Sequence, residues 1–198
     1  MNIISFWFLK FMFFAILGYI MEVIFALCKD HKLINRGFLY GPYCSIYGCA
    51  GILMALINPR LNIIVIFLLS AILCGILEGI AGFLLDYFFH MRWWNYQNQF
   101  LNINGYTCPK YMIIFGLFSI IGVFLINPFY DYLYSLMNMK ILNTMTIILI
   151  IIYIVDTIIS VILVMKLKNK LNKEERINTT LIIENKKNSL LSLLGIGN

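Results

Sequence analysis

The strongest constraint on this chain is a series of apolar runs that no water-soluble core of its size could hide. An α-helix rises 1.5 Å per residue and the hydrocarbon core of a bilayer is about 30 Å thick, so about 20 mostly apolar residues make one crossing. Five stretches meet or approach that length: 3–27, 43–57, 61–85, 111–127 and 141–165. Composition agrees, because 62% of the 198 residues are hydrophobic and 12% charged, against roughly 45–50% and 25% in a soluble domain. Lipid must cover part of that surface. The sequence predicts an all-α polytopic membrane protein with about five transmembrane helices and an interfacial or re-entrant loop. Residues 1–165 form the transmembrane domain and 166–198 a basic cytosolic tail.

Two stretches need comment. The second, 43–57, is short and holds Gly48, Ala50 and Gly51, so it either spans with help from 38–42 or re-enters. The fourth is expected to stop at Pro128, which disfavours helix in the residue before it. The first begins without basic residues and is followed by no small-residue cleavage pattern, so it reads as a retained anchor.

The net charge of +6 invites a nucleic-acid reading, but its distribution points to membrane orientation instead. With five crossings, twelve of the fifteen basic residues fall on one side, leaving Lys10, Arg60 and Lys140 on the other. The excess of Lys and Arg marks the cytosolic side, which puts the N-terminus outside and the tail in the cytosol. Five cysteines without a Cys-x-x-Cys pair, and two histidines in different loops, offer neither a disulfide framework nor a metal site. No metal and no cofactor is expected.

Carboxylates inside apolar runs are costly and face protein or water rather than lipid. Glu22, Glu78, Asp86 and Asp156 are the four here. Glu78 and Asp86 share a helix face with Gly82 between them, and Gly18 shares a face with Glu22. Gly75 and Gly79 form a Gly-x-x-x-Gly pair suited to close helix approach. Each acid has two readings: part of a substrate or proton path, or polar glue bonded to a neighbouring helix. Asp156 reads equally as a packing or oligomerisation residue.

Two loops add chemistry. In 35–42, Gly37, Gly41 and Pro42 set a compact turn chain and leave Arg36 to grip a phosphate or carboxylate, or simply to mark the cytosolic side. In 92–105, Arg92, Trp93, Trp94, Asn95, Tyr96, Asn102 and Asn104 combine interface aromatics with a density of amides that could line a polar cavity. Together with Glu22, Arg36 and Glu78, these are the candidate substrate-binding residues. They are expected to converge on one cytosol-facing cavity, with Arg36 or Arg92 beside one of the acids.

At these residues the chain resembles the putative ABC-transporter type IV family of small bacterial membrane proteins. The resemblance rests on Glu22, on Asn35-Arg36-Gly37-Phe38-Leu39-Tyr40-Gly41-Pro42 with Ile46-Tyr47-Gly48, on Glu78, on Arg92-Trp93-Trp94-x-Tyr96, on Asn102-Ile103-Asn104-Gly105 and on Gly116. It covers roughly 5–125. The chain departs from the family pattern at Asn95, where Asp is usual, and at Phe115, where Trp is usual. Asn95 can hydrogen-bond but cannot carry a proton.

The resemblance implies a multi-pass permease-like protein of the bacterial plasma membrane. No Gly-x-x-x-x-Gly-Lys-Ser/Thr loop, Gly-x-Ser-x-Gly elbow or His-Glu-x-x-His pair is present, so ATP hydrolysis would fall to a separate ATPase subunit. Alternatives are a membrane-embedded enzyme acting on a lipid or isoprenoid headgroup, or a non-catalytic membrane partner. The expected contacts are membrane lipids, the ATPase or a second copy in a homo-oligomer, and no nucleic acid. No residue is singled out as catalytic.

Overall fold

The computed structural model describes residues 2–30, 37–171 and 186. Its elements are α1 (Ile3–Asp30), α2 (Ser45–Leu56), α3 (Ile63–Phe89), α4 (Pro109–Ile121), a π-helical stretch (Gly122–Ile126), α5 (Asn127–Leu136) and α6 (Met139–Lys170). The described residues contain no named β-strand. Among the described residues, four segments are long and apolar enough to cross a membrane: Ile3–Cys28, Ile63–Phe89, Pro109–Leu136 and Met139–Asn169. They keep large apolar side chains exposed, as lipid-covered helices must. On α6, Ile151, Ile154 and Ile158 are all about half exposed (56%, 51% and 53%).

The short second stretch is neither a full helix nor a hairpin. α2 has 12 residues, about 18 Å at 1.5 Å per residue, well short of a bilayer. Its start lies halfway along α1, because Cys44 N–H donates to the carbonyl of Ala15 at 2.9 Å. From there α2 runs antiparallel to α1, with Tyr47 against Gly18 and Gly51 against Phe14. Residues 37–44 therefore descend from the C-terminal end of α1 to mid-depth as non-helical chain, and α2 completes the passage. The short stretch and the segment before it thus run alongside α1, half as extended chain and half as helix.

The remaining rods alternate. α3 returns toward the C-terminal end of α1, where Phe89 packs on Phe38. The α4–α5 rod runs back until Tyr130 O–H reaches the Phe6 carbonyl at 2.9 Å. α6 starts beside Ser5, whose hydroxyl donates to Asn143, and ends beside Phe88 and Phe89. The two ends of the bundle are thus sorted: Arg92 and Lys168 lie at one, Arg60 and Lys140 at the other.

Pro128 does not end the fourth rod. Proline lacks an N–H and its ring clashes with the carbonyl four residues back. The chain meets this with the π stretch just before it, where Asn127 N–H donates to Gly122 O across five residues. A widened turn of this kind absorbs the mismatch without exposing backbone.

The small-residue seam is also displaced from where the Gly-x-x-x-Gly pair suggests. A Cβ on Gly79 would touch only Thr107 Cγ2 at 3.5 Å, an ordinary contact. Gly75 faces the flexible side chain of Met112. The tightest approach is α1 on α2: a Cβ on Gly51 would lie 2.1 Å from Phe14 Cγ, and one on Gly18 would lie 2.2 Å from Tyr47 Cγ. Phe14 is 6% exposed and has nowhere to move. Gly51→Ala is expected to destabilise the protein by about 1–3 kcal/mol, the usual cost of overpacking a filled interior. Gly79→Ala should be neutral. Thermal unfolding in detergent, followed by fluorescence size-exclusion chromatography, checks both.

Candidate functional site

Non-helical chain at membrane depth strands backbone N–H and C=O groups that neither water nor lipid can satisfy. Here they are met by one acid and one base. Asp156, in the middle of α6, accepts from the N–H of Tyr40 (3.1 Å) and of Gly41 (2.9 Å), from the Tyr43 hydroxyl (2.6 Å) and from Ser160 (3.1 Å). Lys186, 3% exposed, donates from Nζ to the carbonyls of Gly37 and of Leu39, and lies over the Tyr40 ring at 4.6 Å. Burial lowers the Lys186 pKa to about 8, with the Asp156 charge pulling the other way. Sequence reasoning treated Asp156 as helix glue. Its real partners are backbone amides more than 110 positions away, which no local pattern could reveal.

Glu22 and Glu78 are each held by a tyrosine. The Tyr47 hydroxyl, on α2, donates to Glu22 Oε1 at 2.6 Å. The Tyr96 hydroxyl, from the loop after α3, donates to Glu78 Oε1 at 2.9 Å. Tyr47 and Tyr96 lie near enough to interact electrostatically, which brings the tyrosine partners of the α1 and α3 carboxylates toward one another. Tyr111 stacks on Tyr96, with ring centres 4.4 Å apart and planes 19° from parallel. Burial, and then the charge of Glu78, hold the Tyr96 phenol well above its ordinary pKa, so it stays a donor. Glu78 is 4% exposed and its Oε2 has no hydrogen-bond partner. The glue reading of these acids allowed a Tyr, Asn or Arg partner from a neighbouring helix; Tyr47 is such a partner, and Tyr96 comes from a loop instead.

Arg92 is not beside Glu22 or Glu78. Its Nε lies 2.9 Å from Asp86 Oδ2, its Nη1 donates to the Asn104 carbonyl, and its guanidinium sits 4.9 Å from the centre of the Tyr106 ring. Tyr106 O–H also donates to Asp86. The pair anchors the loop to the end of α3. The amides serve the loop rather than a cavity. Asn95 accepts from Gln97 N–H, while Asn102 donates to the carbonyls of Gln97 and Gln99 and accepts from Gly105 N–H. Gly105 has φ +76°, and a Cβ there would meet Asn95 Oδ1 at 2.7 Å, so glycine is required. Trp94 donates to the Tyr106 carbonyl at 2.7 Å. Trp93 is buried with Phe38, Phe89 and Leu167.

Of the ten candidates, Tyr96 meets Glu78, and Glu22 is brought toward them through Tyr47. Arg92, Asn95, Asn102 and Asn104 build the loop that carries Tyr96, and Trp93 and Trp94 pack it. Arg36 lies outside the described residues. Two hollows lie elsewhere, on the apolar surface. One of about 390 Å³ lies among Phe13, Leu17, Leu125, Ile126 and Phe129; the other, about 260 Å³, lies beside Lys140 and Thr144. The described residues hold no cluster of His, Cys, Asp and Glu fit for a metal ion.

Comparison with known proteins gives one match, over most of the chain. The family described as Putative ABC-transporter type IV matches residues 9–161. No curated protein and no solved structure matches.

The clamp carries a direct expectation. Asp156→Ala strips the acceptor from two backbone amides and a tyrosine at once, and an unsatisfied buried donor costs about 1–3 kcal/mol. The variant should lose most of its folded yield, and Asp156→Asn, which keeps one acceptor oxygen, should recover part of it. Detergent-extracted monodisperse protein is the readout.

Proposed function

This chain belongs to the putative ABC-transporter type IV family, and from that premise we propose that it is the permease subunit of a transporter powered by a separate ATPase chain. The observation that carries the reading is the interrupted crossing. Transporters place binding sites near the bilayer midplane, where a helix is broken and its half-helix end and unwound backbone face the site. In this chain the break falls at Cys44, level with Ala15 in the middle of α1. Glu22 meets the first turn of the half-helix through Tyr47, so an acid stands at the positive end of the helix dipole.

The substrate site is then the layer of Glu22, Tyr47, Tyr96 and Glu78. The loop of Trp93, Trp94, Asn95, Asn102 and Asn104, pinned by Arg92, forms its lid. In the described conformation the layer is closed, so passage requires the loop or the α2 segment to part from α3. The exposed apolar faces of α6 meet lipid or a second copy. The chain sits as a multi-pass protein in the bacterial plasma membrane. Its basic end, with Arg92 and Lys168, faces the cytosol under the positive-inside rule, and the ATPase docks there.

Two outcomes are expected. A reporter fused after Asn198 should read cytosolic and one fused before Met1 external; the reverse result would invert the proposed docking face. Affinity purification from native membranes in mild detergent should bring down a P-loop ATPase in stoichiometric amount. Retrieval of the intact chain without one, from several detergents, would remove the permease reading.

A further inference from the structure

Glu78 is the most deeply buried of the four acids, at 4% exposure; Glu22, which also accepts one phenol bond, is only half-buried. Asp156 accepts four hydrogen bonds, and Asp86 has Arg92 at 2.9 Å. Glu78 receives one bond, from a neutral phenol, and its second oxygen is buried without a partner. Beside it stands Thr107, 5% exposed, whose hydroxyl, like the Tyr96 phenol, offsets part of the burial penalty on the carboxylate.

The groups around Glu78 come from every neighbouring element. Cys74 lies one turn earlier on α3, Tyr96 comes from the loop, and Cys108 and Tyr111 come from the start of α4. Tyr47 of α2 follows, with Glu22 of α1 behind it. Lys110 is exposed and sits 5.8 Å from the Tyr111 ring centre. None of the groups facing Glu78 among the described residues is a cation. Removing a carboxylate from water without a counter-charge strongly favours its neutral form.

We propose that Glu78 is a proton-binding site in the membrane, occupied when the 90–108 loop is docked and vacated when the loop withdraws. The reaction is a simple ionisation. With the loop withdrawn, water reaches the carboxyl and takes the proton, leaving a carboxylate; redocking expels the water and the proton returns to a carboxylate oxygen. Because docking buries the acid, docking raises its proton affinity, and by linkage protonation strengthens docking. The site shares its residue and its moving loop with the permease reading but is tested apart from it, since it requires no ATPase and no substrate, only that the loop be able to open. Acids that gain and lose protons within a bilayer are the working parts of proton relays.

The test is pH-difference infrared spectroscopy on the full chain in lipid nanodiscs, alongside limited proteolysis of the 90–108 loop. A protonated-carboxyl C=O band is expected that persists well above the ordinary glutamate pKa of about 4.3. Glu78→Gln should abolish it and Glu22→Gln should retain it. Loop cleavage in the wild type should accelerate as pH rises through the midpoint at which the band disappears, and should lose that pH dependence in Glu78→Gln. Absence of the band, its survival in Glu78→Gln, or loop cleavage that ignores pH would overturn the proposal. So would loss of the band on adding sodium at constant pH, which would make the ligand a metal cation. Should Glu78→Gln fail to fold, the wild-type comparison decides: coincident midpoints uphold the site, and separate midpoints reject it.

Discussion

The architecture depends on one requirement, that the extended segment entering the bundle have all its backbone polar groups satisfied inside protein. A lipid-exposed peptide group costs several kcal/mol, and the stretch from Gly37 to Tyr43 presents several in succession. Asp156 takes the amides of Tyr40 and Gly41, and Lys186 takes the carbonyls of Gly37 and Leu39. The acid and the base compensate each other electrostatically while each bonds the backbone between them. Without this arrangement α2 would lose its anchor at mid-depth, and the Tyr47–Glu22 contact would go with it.

The acids of the apolar runs divide by partner. Asp156 has amides and hydroxyls, Asp86 has a guanidinium, and Glu22 and Glu78 have phenols. A carboxylate's partner decides what it can do. A charge-paired or amide-bonded acid holds structure. Glu78, buried at 4% exposure and bonded by a neutral phenol, differs from both. The loop that supplies Tyr96 is built for precision: the Asp86–Arg92 pair, the Asn102 bonds and the left-handed backbone at Asn104 and Gly105 fix one phenol on one carboxylate.

Much of the fold was legible in advance because hydropathy and length act locally. The four rods and the odd short stretch follow from runs of apolar residues, as do the opposite ends reached by the N-terminus and α6. Two local rules misled. Pro128 predicts an end, yet the π stretch before it lets the rod continue to Leu136. The Gly75–Gly79 spacing predicts a tight seam at Gly79, yet the closest approach is between α1 and α2 at Gly18 and Gly51. Both rules describe one helix alone, and in each case a neighbouring turn or helix decided the outcome.

For the site, the sequence identified the residue types that carry chemistry but not their pairings. It determined that the chain lives in a membrane, that its carboxylates must face protein, and that the loops of 35–42 and 92–105 are more than connectors. Those conclusions follow from transfer free energies and motif composition, which depend on residue identity alone. Only the tertiary structure decided that Arg92 meets Asp86, that tyrosines meet Glu22 and Glu78, and that Asp156 holds an extended segment 113–116 positions away. A hydrogen bond is satisfied within a few ångströms, and which groups come that close is a property of how the rods pack, not of their spacing along the chain.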